Sequence, residues 1–196
     1  MTRKNIFLQL AVLLGLGLAA SGCSKTAKKI DNKALKKEFK NAPAWVLDGN
    51  LEGMLSAVGS AKIGKGGIQF ARTEAVAQAR DELSRRLSVK VKALVNNFMQ
   101  QTGMGDDQLV DNFSKQVSKQ VTGETLSGSW QKDTWISPSS EFFALVVLEA
   151  ASVKESVKKQ IVSSYQKDEA KWNEFKAANA NQELDKEIEK VFGGNQ

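Results

Sequence analysis

Histidine is absent from all 196 residues. That removes the side chain that most often serves as a general base at neutral pH and as a metal ligand. Catalysis by a Ser-His-Asp or Cys-His arrangement is excluded, and so are the usual zinc sites. There is one cysteine, so no internal disulfide can form. Charge of one sign is also scarce. Lys and Arg number 28 against 22 Asp and Glu, a formal +6. Two of the basic residues, Arg3 and Lys4, lie in the first 22 positions, where there is no acid, so the remaining chain carries 26 against 22, or +4. A surplus this small suits nearness to anionic lipid or glycan and gives no footprint for nucleic acid. The rest of the composition, 41% hydrophobic and 26% charged, is that of an ordinary globular protein.

The one cysteine has a telling position. Arg3 and Lys4 form a short positive region, Ile6 to Ala20 is an apolar run rich in leucine, and Ala20-Ser21-Gly22-Cys23 closes it with small residues. That is the three-part architecture of an export signal. A transmembrane anchor is the plainer alternative, but a spanning helix needs about 20 apolar residues, and this run is shorter and broken by Gly15 and Gly17. Simple cleavage that leaves Cys23 as a free thiol is another.

The tetrapeptide resembles the bacterial lipobox, although that motif usually has leucine where Ala20 stands. The resemblance implies cleavage between Gly22 and Cys23, then diacylglycerol and N-acyl modification of Cys23. Several chains hold more firmly than one, since each buried methylene adds about 0.8 kcal/mol. Ser24 follows the cysteine. By its similarity to sorting in Gram-negative lipoproteins, this favours the outer membrane, with the domain facing the periplasm.

The mature chain divides by composition. Residues 23–42 are lysine-rich (Lys25, Lys28, Lys29, Lys33, Lys36, Lys37, Lys40) and read as a lipidated, solvated tether, or else as a short basic helix at the membrane surface. Pro43-Ala44-Trp45 opens a domain expected over 43–150. Within it, Leu55–Ala61 reads as a strand and Gly64-Lys65-Gly66-Gly67 as a loop. From Ile68 the period becomes helical: Ala71, Ala75, Ala79, Leu83, Leu87, Val91 and Val95 recur every four residues, widened by Phe70, Val76, Leu94 and Phe98. The helix ends near Gly103. A second follows, capped by Asp106 or Asp107, with Leu109, Val110, Phe113, Val117 and Val121 inward and Gly123 as its end.

Glu124–Ile136 alternates and reads as a strand, Ser137–Ser140 as a turn, and Phe142–Leu148 as a strand apolar on both sides. Its second face requires a cover, either the C-terminal helix or a neighbouring subunit. A long helix is expected from Ser152 to about 178, roughly 40 Å at 1.5 Å per residue, continuing past an interruption at Asn179-Ala180-Asn181. Residues 151–196 form this helical extension. The fold class is α+β: a small mixed or antiparallel sheet in the order β-α-α-β-β packed on helices, with a long C-terminal helix.

Motifs with chemical content are few. Gly59-x4-Gly64-Lys65 matches seven positions of a phosphate-binding loop, but Gly66 stands where a magnesium-binding hydroxyl is needed. The carboxylate pairs Asp81-Glu82, Asp106-Asp107 and Glu187/Glu189 read as solvated helix faces rather than acid–base machinery. Strict alternation puts Trp130 and Trp135 on opposite faces, so at most one lines any groove. No catalytic residue, metal or cofactor is expected. Trp135, Phe143 and Trp172 are the candidates for contact with a partner.

Several segments together carry a family resemblance: Pro43-x-Trp45, Val58-Gly59-x-Ala61, Ala71-Arg72-x-Glu74-Ala75-x3-Ala79-Arg80-x2-Leu83, Trp130 to Trp135, and Phe143-Ala144-Leu145-Val146. Over roughly residues 43–150 the chain resembles the Lpp-twenty-type (FlgP-like) bacterial outer-membrane lipoproteins. It departs from them in opening the last strand with Glu141-Phe142 instead of glycine-tyrosine. The resemblance implies a non-catalytic outer-membrane lipoprotein and, in flagellar members, ring or disk assembly from many copies. Two functions follow as expectations. One is a self-associating structural lipoprotein, a homo-oligomer with flagellar or other envelope partners. The other is a monomeric module binding peptidoglycan or another envelope polymer.

Overall fold

A computed structural model of the chain describes residues 32–193, Glu52 and Asp106 excepted. The export signal, Gly22, Cys23 and the proposed cap Asp106 lie outside the described residues. The elements are α1 (Asn32–Glu38), α2 (Trp45–Asp48), β1 (Met54–Lys62), α3 (Gly67–Thr102), α4 (Asp107–Leu126), β2 (Trp130–Ile136), β3 (Glu141–Glu149), α5 (Ala150–Gln166), α6 (Glu169–Ala177) and α7 (Ala180–Phe192). The α+β class and the β-α-α-β-β order of the domain hold. Among the described residues, no helix is long and apolar enough to cross a membrane.

The sheet has the order β1-β3-β2, with both pairings antiparallel. Its central strand is the continuous apolar run, as burial on both faces demands. α3 lies along one face, and the four-residue stripe is its contact surface: Ala71, Ala75, Ala79, Leu83, Leu87, Val91 and Val95 are all buried. Alanine in the first half lets the helix axis come close. Gly59 of β1 completes the approach, because a Cβ there would stand 2.1 Å from the Ala75 carbonyl oxygen and 2.5 Å from the Ala79 amide nitrogen. Phe70 does not join the stripe. It sits about 100° around the helix from Ala71 and is exposed.

Beyond the sheet, α3 continues with bulkier residues and forms a second core with α4, α5, α6 and α7. Four departures from the sequence reading fall here and on the sheet. First, α4 runs through Gly123 to Leu126, so only Trp130–Ile136 of the expected long strand is extended. A glycine inside a helix costs about 1 kcal/mol, and burial of Val121 and Thr125 on the same helix opposes that cost. Second, Leu109 is exposed, while Val117 and Val121 are buried as expected.

Third, the C-terminal region is three helices, not one rod. Beside the interruption at Asn179, which takes a left-handed φ of 50°, there is a break at Lys167-Asp168. Asp168 takes extended backbone and accepts a hydrogen bond from the Lys171 amide, capping α6. The chain doubles back and lays Leu184, Ile188 and Phe192 into the core with α3. Fourth, the outer face of β3 is covered not by the C-terminal helices but by residues that precede the sheet in the chain. Leu145 and Val147 pack against Trp45 and Val46 of α2, with Phe39 joining the cluster.

Candidate functional site

The sheet face opposite α3 gathers three of the chain's four tryptophans, Trp45, Trp130 and Trp135. Trp45 is buried there, and its indole N–H donates to the Asp133 carboxylate at 2.8 Å, linking residues 88 positions apart. Phe39 meets Trp135 at 6.0 Å between ring centres and Phe143 at 6.1 Å edge-on, and Trp135 meets Phe143 at 5.4 Å. Glu38 accepts hydrogen bonds from the Ser139 hydroxyl at 2.6 Å and amide at 3.3 Å, tying α1 to the β2–β3 turn. Bonds from Ser137 and Ser139 hold the Glu38 carboxyl below its ordinary value.

Strict alternation fails in β2. Gln131 opposes Val146 and Asp133 opposes Leu145, so Lys132 is an extra, bulged residue. The bulge turns the strand by one position. Trp130 then opposes Val147, and Trp135 opposes Phe143, two residues of one face. Both indoles therefore share the aromatic face, which corrects the expectation of opposite faces. Trp130 keeps 39% of its surface exposed there. On the other face α3 secures the same strand and the residue before it: Arg72 donates to Gln131 at 3.0 Å, and Arg80 to the Ser129 hydroxyl at 3.3 Å and carbonyl at 3.4 Å.

The three proposed contact residues do not form one site. Trp135 and Phe143 touch each other, but Trp172 lies in the second core, stacked on Phe175 at 5.3 Å with the Lys176 ammonium 5.8 Å above its ring. Sequence reading missed Phe39 and Asp133, and it had no signal for either. Phe39 sits inside a lysine-rich stretch, and Asp133 acquires its role only through Trp45.

The phosphate-loop pattern dissolves in three dimensions. Its first glycine, Gly59, lies within β1 beneath Ala75 and not in a loop. The sheet is antiparallel, so it lacks the parallel strand ends that such sites use. Among the described residues no group of three or more Asp, Glu or Cys side chains is placed to hold a metal ion.

The geometry defines a class: a small helix-backed sheet whose distinctive residues serve packing. Gly59, Ala75 and Ala79 set the helix–sheet distance, Arg72 and Arg80 hold β2, and Trp45 closes the far face. The model of the LPP20 lipoprotein family matches residues 43–149. The chain belongs to that family, and with it to the lipoproteins of the cell envelope. No curated protein matches the chain.

Proposed function

We propose that the protein is a non-catalytic structural lipoprotein, anchored through Cys23 to the outer membrane and facing the periplasm, whose domain self-associates within an envelope assembly such as a flagellar basal disk. The support for the anchor is the leader sequence ending at Cys23. The observation that carries self-association is the open edge of β1.

In an antiparallel pair the backbone groups of alternate residues point away from the partner. On β1 those residues are Met54, Ser56, Val58, Ser60 and Lys62: the Met54 amide bonds the Leu51 carbonyl, and the Ser56 carbonyl accepts from Arg86 at 3.1 Å. Among the described residues Val58, Ser60 and Lys62 are left as an unpaired edge, the kind of template that another strand completes. Exposed Ile68, Phe70 and Ile136 add apolar surface at the start of α3 and the end of β2.

The test is chemical cross-linking in intact cells, followed by light scattering of the full chain in detergent. A ladder of species above the monomer is expected. A single monomeric mass in both measurements would sink the proposal. Failure of Cys23→Ser to abolish palmitate incorporation would remove the anchor independently.

The second reading is a monomeric module for peptidoglycan or another envelope polymer. The bulge favours it by setting Trp130, Lys132 and Trp135 on one edge strand with both indoles facing the same way. Trp130→Ala is the informative variant, because Trp135 also packs against Phe39 and Phe143. Loss of co-sedimentation with cell-wall sacculi in that variant, with the monomer folded, would favour this reading over assembly.

A further inference from the structure

A cleft of about 340 Å³ opens where the end of α3, the start of α4, the end of α5 and the start of α6 converge. Its apolar wall is Met99, Met104, Leu109, Phe113 and the ring of Tyr165. Lys167 and Lys171 stand on its rim with one acid, Glu174. We propose that this cleft binds one single-chain fatty acid, the alkyl tail lying against the two methionines and Phe113 and the carboxylate meeting Tyr165, Lys167 and Lys171.

Three observations point to this occupant. Tyr165 is 8% exposed, and among the described residues its hydroxyl has no hydrogen-bond partner, although it faces the cleft. The ring is buried, but the oxygen itself is not among the enclosed unpartnered atoms of the described residues, which are Asn96 Oδ1 and Thr122 Oγ1, so the hydroxyl is open to donate to a ligand acceptor. Burial first, and then the charge of Glu174, raise the Tyr165 pKa to about 12, so this group remains a donor throughout the neutral range.

The rim has the matching charge. Lys167 and Lys171 make no ion pair among the described residues, and with Glu174 they leave the mouth one positive charge in excess. Size and lining complete the case. The volume is at the lower end for small-molecule sites, enough for one flexible tail and too little for a folded partner. Methionine adapts to an irregular chain better than branched side chains do. Three further clefts are lined mainly by Ser, Thr, Lys, Arg, Gln, Glu and Asp, and a fourth, beside Ile68 and Phe142, holds only about 180 Å³. This inference does not depend on self-association.

The experiment uses the full chain in lipid nanodiscs with a decanoic acid carrying a photoactivated diazirine at the tail end. Labelled residues are mapped by mass spectrometry. Label is expected within 99–113 and 164–175, displaced by unlabelled decanoate. The Lys167→Glu/Lys171→Glu double variant changes only exposed side chains and should fold normally. It should weaken carboxylate labelling about tenfold, the loss of roughly one charge-assisted hydrogen bond, while leaving labelling by the matching alcohol unchanged. Label scattered over the chain, or equal loss of both probes in the double variant, overturns the proposal. Met104→Trp, which fills the cleft, should abolish both labels if its melting curve remains cooperative. Retention of label in that folded variant would also overturn it.

Discussion

Gly59 has no side chain because the Ala75 carbonyl and the Ala79 amide occupy the space one would take. A methyl group there cannot be accommodated by rotation of a flexible neighbour, since the atoms it meets are helix backbone. α3 would have to lift from the sheet, loosening the contacts of Ala71 and Ala144 as well. Overpacking of this kind costs about 1–3 kcal/mol, and backbone contact puts Gly59→Ala at the upper end. Gly64 is the internal control: its added Cβ would meet nothing within 4 Å, and its backbone is not in the left-handed region. Gly64→Ala should therefore be neutral or stabilising by up to about 1 kcal/mol. Chemical denaturation of the two variants beside the parent checks both. A Gly59→Ala protein as stable as the parent would mean that helix and strand are not in the contact described.

At the level of elements, α7 is attached to α3 by more than apolar packing. Glu187 is 3% exposed and accepts from Gln101 at 2.9 Å, Asn97 at 3.5 Å and Lys190 at 3.0 Å. Burial alone would raise its pKa, but the bonds from Gln101 and Lys190, with the Lys190 charge and the Asn97 contact, outweigh burial and hold it below the ordinary value. A carboxyl depressed in the folded state contributes its stability above the unfolded pKa, near 4.3. That contribution is lost as pH falls through the folded value. Glu187→Ala should lower stability by about 2 kcal/mol at pH 7, the scale of hydrogen bonds to a charged group. The deficit should shrink below pH 4, where the parent loses the same interaction. Denaturation midpoints at pH 7 and pH 3.5 measure it, and a deficit independent of pH would show that the carboxylate charge is not what holds α7.

Elements also show where sequence is readable. The four-residue α3 stripe and the two-sided burial of β3 follow from side-chain period and were legible, although Phe70, counted with the stripe, is exposed. Residues whose effect is relational were not. Lys132 becomes a bulge only when β2 is registered against β3. Asp168 ends a helix only because its own backbone turns extended to cap the next. Helix α4 passes Gly123 because tertiary burial overrides a weak local preference. The aromatic face was half visible, since Trp135 and Phe143 could be named, but Phe39 and Trp45 are brought to them by chain folding. The cleft at Tyr165 draws on four helices and left no mark in any one of them.

For the whole molecule, the two sheet edges have different capacities. β1 presents Val58, Ser60 and Lys62 unpaired, whereas β2 interrupts its own edge with bulged Lys132 and uses the Asp133 carboxylate to accept the Thr134 amide at 2.7 Å. Both strands run antiparallel to β3 and hence parallel to each other. A β1–β1 pairing across a two-fold axis would be antiparallel and would close at a dimer. Joining β1 of one copy to β2 of the next would be parallel and would propagate as a ring or filament, using Ile136 at the far edge. Two substitutions separate these routes. Ser60→Pro removes an edge amide that both pairings need. Its fold cost is the Ser60 hydroxyl bond to Glu141, about 1 kcal/mol, plus the strain of fixing φ within a strand, so a cooperative melting curve must accompany the measurement. Ile136→Lys charges an exposed residue of β2 that only the propagating contact uses, with little effect on the fold. Light scattering of the full chain should find Ser60→Pro monomeric, and Ile136→Lys stopped at the dimer if the parent propagates. A parent that is dimeric, with Ile136→Lys unchanged, would restrict assembly to the β1 edge. Oligomers that persist in Ser60→Pro would place the contact away from the sheet edges altogether.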